Sequence, residues 1–178
     1  MRTELLADGH VWCRLADPLW SDPLDPTFAQ HLGQRWNPPR SFPTLYLNED
    51  VVTARLNLRR FVARWPYEPE DLRPDAAPVL VEATLPRHQR VVDAHTPTGI
   101  ANLGLPASYP LDRSGDLVPH DRCQPIGRAA HDRGLRGVRS RAATHPDGAG
   151  RELAWFPATR RSRAHQVARH AFADWFWA

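Results

Sequence analysis

The sequence of 178 residues contains no lysine: all 23 of its Lys/Arg cations are arginine. That absence removes the lysine of a phosphate-binding P-loop, the Schiff-base lysine and every other amine chemistry. What remains are guanidinium groups, permanently charged and shaped for forked contacts with phosphates and carboxylates. Cysteine is nearly as scarce. Two thiols, Cys13 and Cys123, are too few for a disulfide framework or a four-thiolate zinc site, so a reduced, cytoplasmic protein fits best. No apolar run approaches the ~20 residues of a membrane helix. Charges at Arg2, Glu4, Asp8 and Arg14 argue against a signal peptide. The motifs GxSxG, GxGxxG and HExxH are missing as well.

Proline is in excess, at 18 residues, roughly twice ordinary usage. That favours short elements joined by shaped loops over a helical bundle. A composition of 42% hydrophobic and 24% charged residues supports a packed core. The expected layout is one domain over residues 1–178, with a core at about 10–157 and a C-terminal helical tail at 158–178.

Strands are expected at 10–16, 44–48, 77–85, 89–94, 136–142 and 152–156, where β-branched and apolar residues run between turn signals. Residues 17–34, 65–78 and 96–119 read as proline-interrupted loops, and THPDGAG (144–150) as a turn. A helix from an Asp50 N-cap to about Arg64 places Val51, Ala54, Leu58, Phe61 and Val62 on one face. Asn57 then sits on the flank of that stripe, facing a cleft rather than the core. A second helix spans 123–133 and ends at Gly134. The class is mixed α and β, with strands and helices interleaved.

Four sets of residues carry candidate chemistry. Arg14 and Arg35 lie beside Trp12 and Trp36, in segments expected to be partly buried. A buried guanidinium needs an acid, carbonyls or a bound anion, so each is either a structural ion pair or part of an anion-gripping cleft. Tyr46 and Asn57 offer a ring face for stacking and an amide for ribose hydroxyls, although a strand tyrosine also serves plain packing. His120 and Cys123 form an HxxC pair with no second pair at ligand spacing, so no metal is expected. The basic tail (Arg160, Arg161, Arg163, Arg169) reads as a solvated face rather than a nucleic-acid track.

In order along the chain, QRWNPP, LYLNEDVVTARLNLRR, VLVEATLPRHQRVVDAHTP, CQPIGRAAHDRGLRGVRSRA and GRELAWF resemble the blocks of the RES domain, from Val11 to Phe156. The resemblance implies an α+β, ADP-ribosyltransferase-like fold, with short strands in a central split sheet, peripheral helices and proline-rich loops. It also implies a toxin of a RES–Xre toxin–antitoxin pair that breaks the nicotinamide–ribose bond of NAD⁺, with phosphate or water as acceptor. A helical Xre-like antitoxin would block the pocket; a homodimer stays open. The family's two arginines fall on Arg14 and Arg35, and its tyrosine on Tyr46. Its glutamate falls on Asn57, a departure, and its serine at Asp121 or Arg122, another. Ser140 is the nearest later hydroxyl; the places of the relatives' Arg-Ser pair hold Arg141 and Ala142. The expected catalytic set is Arg35, Asn57 and Asp121, with Asp121 supplying the carboxylate missing at position 57. The expected NAD⁺-binding set is Arg14, Arg35, Tyr46, Asn57 and Ser140. Other classes remain: transfer of ADP-ribose to a macromolecule, or a weakened module that binds NAD⁺ or nucleic acid.

Overall fold

The computed structural model describes residues 1–66, 68–145, 148–159 and 161–178. Among the described residues, eight strands form one sheet in the order β1-β5-β6-β7-β3-β2-β4-β8. They are β1 (Thr3–Leu5), β2 (Val11–Ala16), β3 (Leu45–Asn48), β4 (Val79–Thr84), β5 (Arg90–Ala94), β6 (Gly137–Arg141), β7 (Arg151–Trp155) and β8 (His165–His170). The β5–β6 pair is parallel; the other pairs are antiparallel. Among the described residues, five α-helices flank the sheet: α1 (Thr27–Leu32), α2 (Val51–Val62), α3 (Pro97–Asn102), α4 (His120–Asp132) and α5 (Phe172–Trp175).

The sheet has one weak seam. β2 matches β4 over six residue pairs, and β3 matches β7 over four. Between β2 and β3 a single pair remains, Cys13 opposite Asn48. Beyond that pair the two strands diverge, which splits the sheet and opens a V between Arg14–Ala16 and Leu45–Leu47. One apolar cluster runs across the seam, and each half has a further one of its own. Trp12, Leu45, Val81 and Trp155 fill one face. Val92, Ile100, Val138 and Phe156 pack with α3 and α4, and Cys13, Ala54, Leu58 and Leu80 pack under α2.

Local chemistry explains most element limits. Asp50 caps α2, its carboxylate accepting from Thr53 N at 2.7 Å, a contact whose loss typically costs ~1 kcal/mol. On the predicted apolar face, Ala54, Leu58 and Val62 are buried but Phe61 is exposed. Gly134 has φ +75°, the left-handed conformation that ends α4. That helix starts at His120, three residues earlier than the sequence suggests, and carries Pro125 inside it. Pro125 is the sixth residue of the helix, past the first turn, so it gives up the N–H that would otherwise bond to Asp121 O.

Three expectations about elements are corrected, the first being that the loop expected over 96–119 holds α3, capped by Thr96 Oγ1, which accepts from Gly99 N at 3.0 Å. The loop expected over 17–34 contains α1, whose Thr27 N and Oγ1 are held by Asp25. The tail at 158–178 is not a helix. Residues 165–170 add β8 to the free edge of β4, with a bulge between Glu82 and Ala83, and one short helix, α5, follows. The apolar spacing Val167, Ala168, Ala171, Phe172, Trp175 suits a helix locally. A strand edge in need of partners overrides that preference. Phe172, Trp175 and Phe176 dock against the body, and Arg55 Nη2 donates to Trp175 O at 2.7 Å. Of the basic tail, Arg160 lies outside the described residues, as do Pro146 and Asp147 of the 144–150 turn.

Candidate functional site

Two hollows open at the seam and share Gln34, Tyr46 and Glu152. The larger, about 340 Å³, lies in the V, with Arg14, Trp20, Asn48 and Asn57 in its walls. The smaller, about 240 Å³, is lined by Arg35, Trp36, His120, Ser140 and Ala154. A guanidinium thus stands in each hollow, with Tyr46 and Glu152 between them.

Arg14 leaves β2 where that strand parts from β3, and it is 9% exposed. Its guanidinium lies 5.6 Å from the Trp20 ring centroid. Burial pulls its pKa down to about 10, against the opposing charges of Asp25 and Asp22. It therefore stays charged at neutral pH, yet it makes no hydrogen bond to a described residue. A buried cation in this state favours an anionic ligand.

The RWN segment is fixed by a chain of hydrogen bonds. The Tyr46 hydroxyl accepts from Trp36 N at 2.9 Å and donates to Asn37 Oδ1 at 2.8 Å. Asn37 Nδ2 in turn donates to Ala29 O at 2.7 Å. Burial pushes the Tyr46 pKa up, so the phenol stays a neutral donor, and its ring rather than its hydroxyl is what the cleft can use. Arg35 is held by Val118 O, 2.6 Å from Nη1. Helix α4 packs against this loop through Gly127, where an added Cβ would sit 1.7 Å from Trp36 O. Only glycine permits that approach.

A polar row crosses the sheet at the cleft floor. Glu152 on β7 stands opposite Ser140 on β6 and Asn48 on β3. Register partners face the same side of a sheet, so the three side chains stand together. Asn57 on α2 closes over them. Its Nδ2 donates to Asn48 Oδ1 at 2.7 Å and to Glu152 Oε1 at 2.6 Å, while its Oδ1 accepts from Thr144 Oγ1 at 2.6 Å. Burial raises the Glu152 pKa, opposed by the Asn57 hydrogen bond and the charges of Arg35 and Arg60. Ser140 Oγ is buried with no hydrogen-bond partner within normal geometry.

Of the residues expected from sequence, Arg14, Arg35, Tyr46, Asn57 and Ser140 line these two adjoining hollows. Asp121 does not. It sits exposed in the first turn of α4, lining a separate hollow with Arg113, Ser114 and Arg122. The early start of α4 is the reason: it is His120 that reaches the cleft. Burial and then the Arg35 charge lower the His120 pKa.

Sequence reasoning missed Glu152. A signal was present: strand alternation puts Glu152, Ala154 and Phe156 on one face, and an acid on a face otherwise apolar marks a buried carboxylate. Away from the cleft, Glu4, Asp93 and His95 bring ligand atoms within 4.8 Å of one another. Cations already serve that group. Arg2 Nε lies 3.1 Å from Asp93, Arg139 Nη1 lies 3.2 Å from Glu4, and Arg151 Nε donates to His95 Nδ1 at 3.2 Å.

A split mixed sheet flanked by helices, with a polar cleft at the split, is an α+β architecture, in keeping with the ADP-ribosyltransferase-like fold that the resemblance implies. The RES domain family model matches residues 6–176, and the chain belongs to that family. Among solved structures it is similar to a chain in the crystal structure of the M. tuberculosis MbcT–MbcA toxin–antitoxin complex. The TM-score is 0.75 at 22% identity, covering 99% of this chain and 92% of that one. No curated protein sequence matches the chain significantly. Among the described residues, no helix is long and apolar enough to cross a membrane.

Proposed function

We propose that the cleft binds NAD⁺ and cleaves its nicotinamide–ribose bond. The observation that carries this reading is the pair of hollows joined at Tyr46 and Glu152, with Arg14 in one and Arg35 in the other. An elongated anion with an aromatic end and a diphosphate suits that arrangement. Arg14 and Arg35 would hold the phosphates, and the Tyr46 ring would stack on the nicotinamide or its ribose. Membership of the RES family supports the same substrate.

In the reaction the C1′–N bond breaks and its electron pair leaves with neutral nicotinamide. An oxygen of phosphate or water bonds to C1′, giving ADP-ribose 1″-phosphate or ADP-ribose, and the acceptor's proton goes to solvent. The transition state is oxocarbenium-like, so negative charge near the ribose lowers the barrier. The biological reading is a toxin held in check by an antitoxin. Its support is that the structurally similar chain comes from a toxin–antitoxin complex.

Incubating the full chain with NAD⁺, with and without phosphate, and following free nicotinamide tests the chemistry. Release above buffer supports cleavage, and the product formed with phosphate tells the acceptors apart. No release at high protein concentration would leave binding without turnover. Growth arrest on expression, relieved by a helical antitoxin partner, tests the biological role.

A further inference from the structure

Among the described residues lining the two hollows at the seam, Glu152 is the one carboxylate. Its position is set from three sides. Ser140 and Asn48 stand opposite it on the neighbouring strands, and the Asn57 amide donates to Oε1 at 2.6 Å. Oε2 has no hydrogen-bond partner among the described residues and is not sealed from the cleft. The charge of this side chain therefore faces the space where a ligand would lie.

Asn57 is differently placed. Both amide hydrogens are spent on Asn48 and Glu152, and its oxygen accepts from Thr144. An amide so committed has little left for a ribose. Its geometry instead orients the Glu152 carboxylate, as residues next to a reacting group do when they lock its rotamer. A glutamate at position 57 would set a second anion within hydrogen-bonding distance of Glu152, and two carboxylates at that separation do not both stay ionised.

Resting on the NAD⁺-cleaving reading above, we propose that Glu152 is the catalytic carboxylate of this cleft. It would accept hydrogen bonds from the nicotinamide-ribose hydroxyls and offset the positive charge that grows on the ribosyl group as the glycosidic bond breaks, with Asn57 as its positioning residue. Glu152 remains an anion throughout and forms no covalent bond.

The charged and titratable groups around Glu152 are Arg35, Arg60 on α2, Tyr46 on β3, Tyr109 and His120 on α4, with Arg14 on β2 in the wall of the larger hollow. Because burial holds the Glu152 carboxyl above its ordinary value, kcat/KM should fall on the acid side at a pH above the usual carboxylate range. Any limb that His120 contributes would persist without Glu152.

The test follows nicotinamide release by the full chain and by Glu152→Gln, Asn57→Glu and the double variant Asn57→Glu/Glu152→Gln, with folding checked by thermal melting and NAD⁺ affinity by calorimetry. Loss of a preorganised charge predicts a fall of ~10²–10³-fold for E152Q with binding changed only a few-fold, and loss of the Glu152 acid limb. The double variant returns the carboxylate to the row from the other side. It should recover at least about tenfold over E152Q, and it keeps the question open to test should E152Q fail to fold. An active wild type with E152Q within fivefold of it, or a folded double variant no better than E152Q, overturns the assignment and leaves the NAD⁺ reading standing. A silent wild type overturns the cleavage reading itself, and the assignment with it.

Discussion

Cys13 and Asn48 form the register pair that ties β2 to β3, and Asn48 Nδ2 donates to Cys13 O at 3.3 Å. This contact is the apex of the V. On one side of it the strands part and admit Arg14; across β3 from it stands Glu152. The place where the sheet is weakest is thus where its polar side chains gather, because backbone pairing there has been given up to make a hollow.

Burial should make the thiol at that apex inert. The Cys13 pKa is pushed up to about 12, by burial first and then by Glu82 and Asp50, and burial raises Cys123 as well. Only the thiolate is nucleophilic. Native protein at pH 8 should resist a thiol-specific reagent, and both cysteines should react once it is unfolded. Fast modification of the folded protein would contradict the placement of both.

Glu152 should cost stability at neutral pH. A carboxyl with a raised folded pKa binds its proton more tightly in the fold than in the unfolded chain. Its contribution to stability is therefore present at acid pH and is lost as pH rises through the folded pKa. The melting temperature of Glu152→Gln should exceed wild type at pH 7, with the gap closing as the pH drops below the ordinary carboxylate value. A variant melting lower than wild type at pH 7 would refute this.

Arg14 makes the same trade with the opposite charge. An apolar residue of similar length removes a buried cation that lacks a hydrogen bond, which is commonly neutral or stabilising. Arg14→Met should keep or raise the melting temperature while weakening NAD⁺ binding about tenfold or more. Calorimetry at several salt concentrations should also show a shallower salt dependence than wild type.

The Tyr46 hydroxyl holds the RWN loop rather than facing the ligand. Tyr46→Phe strands Trp36 N and Asn37 Oδ1, at a cost of ~1–3 kcal/mol for buried groups left unpaired, readable as a lower denaturant midpoint. The phenyl ring keeps its stacking face, so NAD⁺ affinity should suffer less than in Tyr46→Ala.

Gly127→Ala puts a methyl group into Trp36 O. Overpacking against backbone costs ~1–3 kcal/mol, and here it displaces the loop that carries Arg35. The expected result is a lower melting temperature together with weaker NAD⁺ binding. A variant as stable as wild type would show that α4 can move away freely.

The sequence by itself determined most elements of the two inner faces, because burial writes its period directly into the residues. The Asp50 cap, the α2 stripe, the Gly134 stop and the strands around Tyr46 and Val91 all follow from local rules. It also placed Arg14, Arg35, Tyr46, Asn57 and Ser140 as one candidate set, through their ordered motif blocks. Tertiary structure alone decided the rest. The tail became a strand because β4 had an edge to cover, a demand that residues 165–170 do not carry in their own spacing. Asp121 was turned away from the cleft by a helix beginning a few residues early. Glu152 entered it because β3 as well as β6 flanks β7, which adds Asn48, far from it in the chain, to the Ser140 that the preceding strand already brings alongside. Strand order is fixed by the packing of the whole sheet, and no local pattern encodes which strands become neighbours.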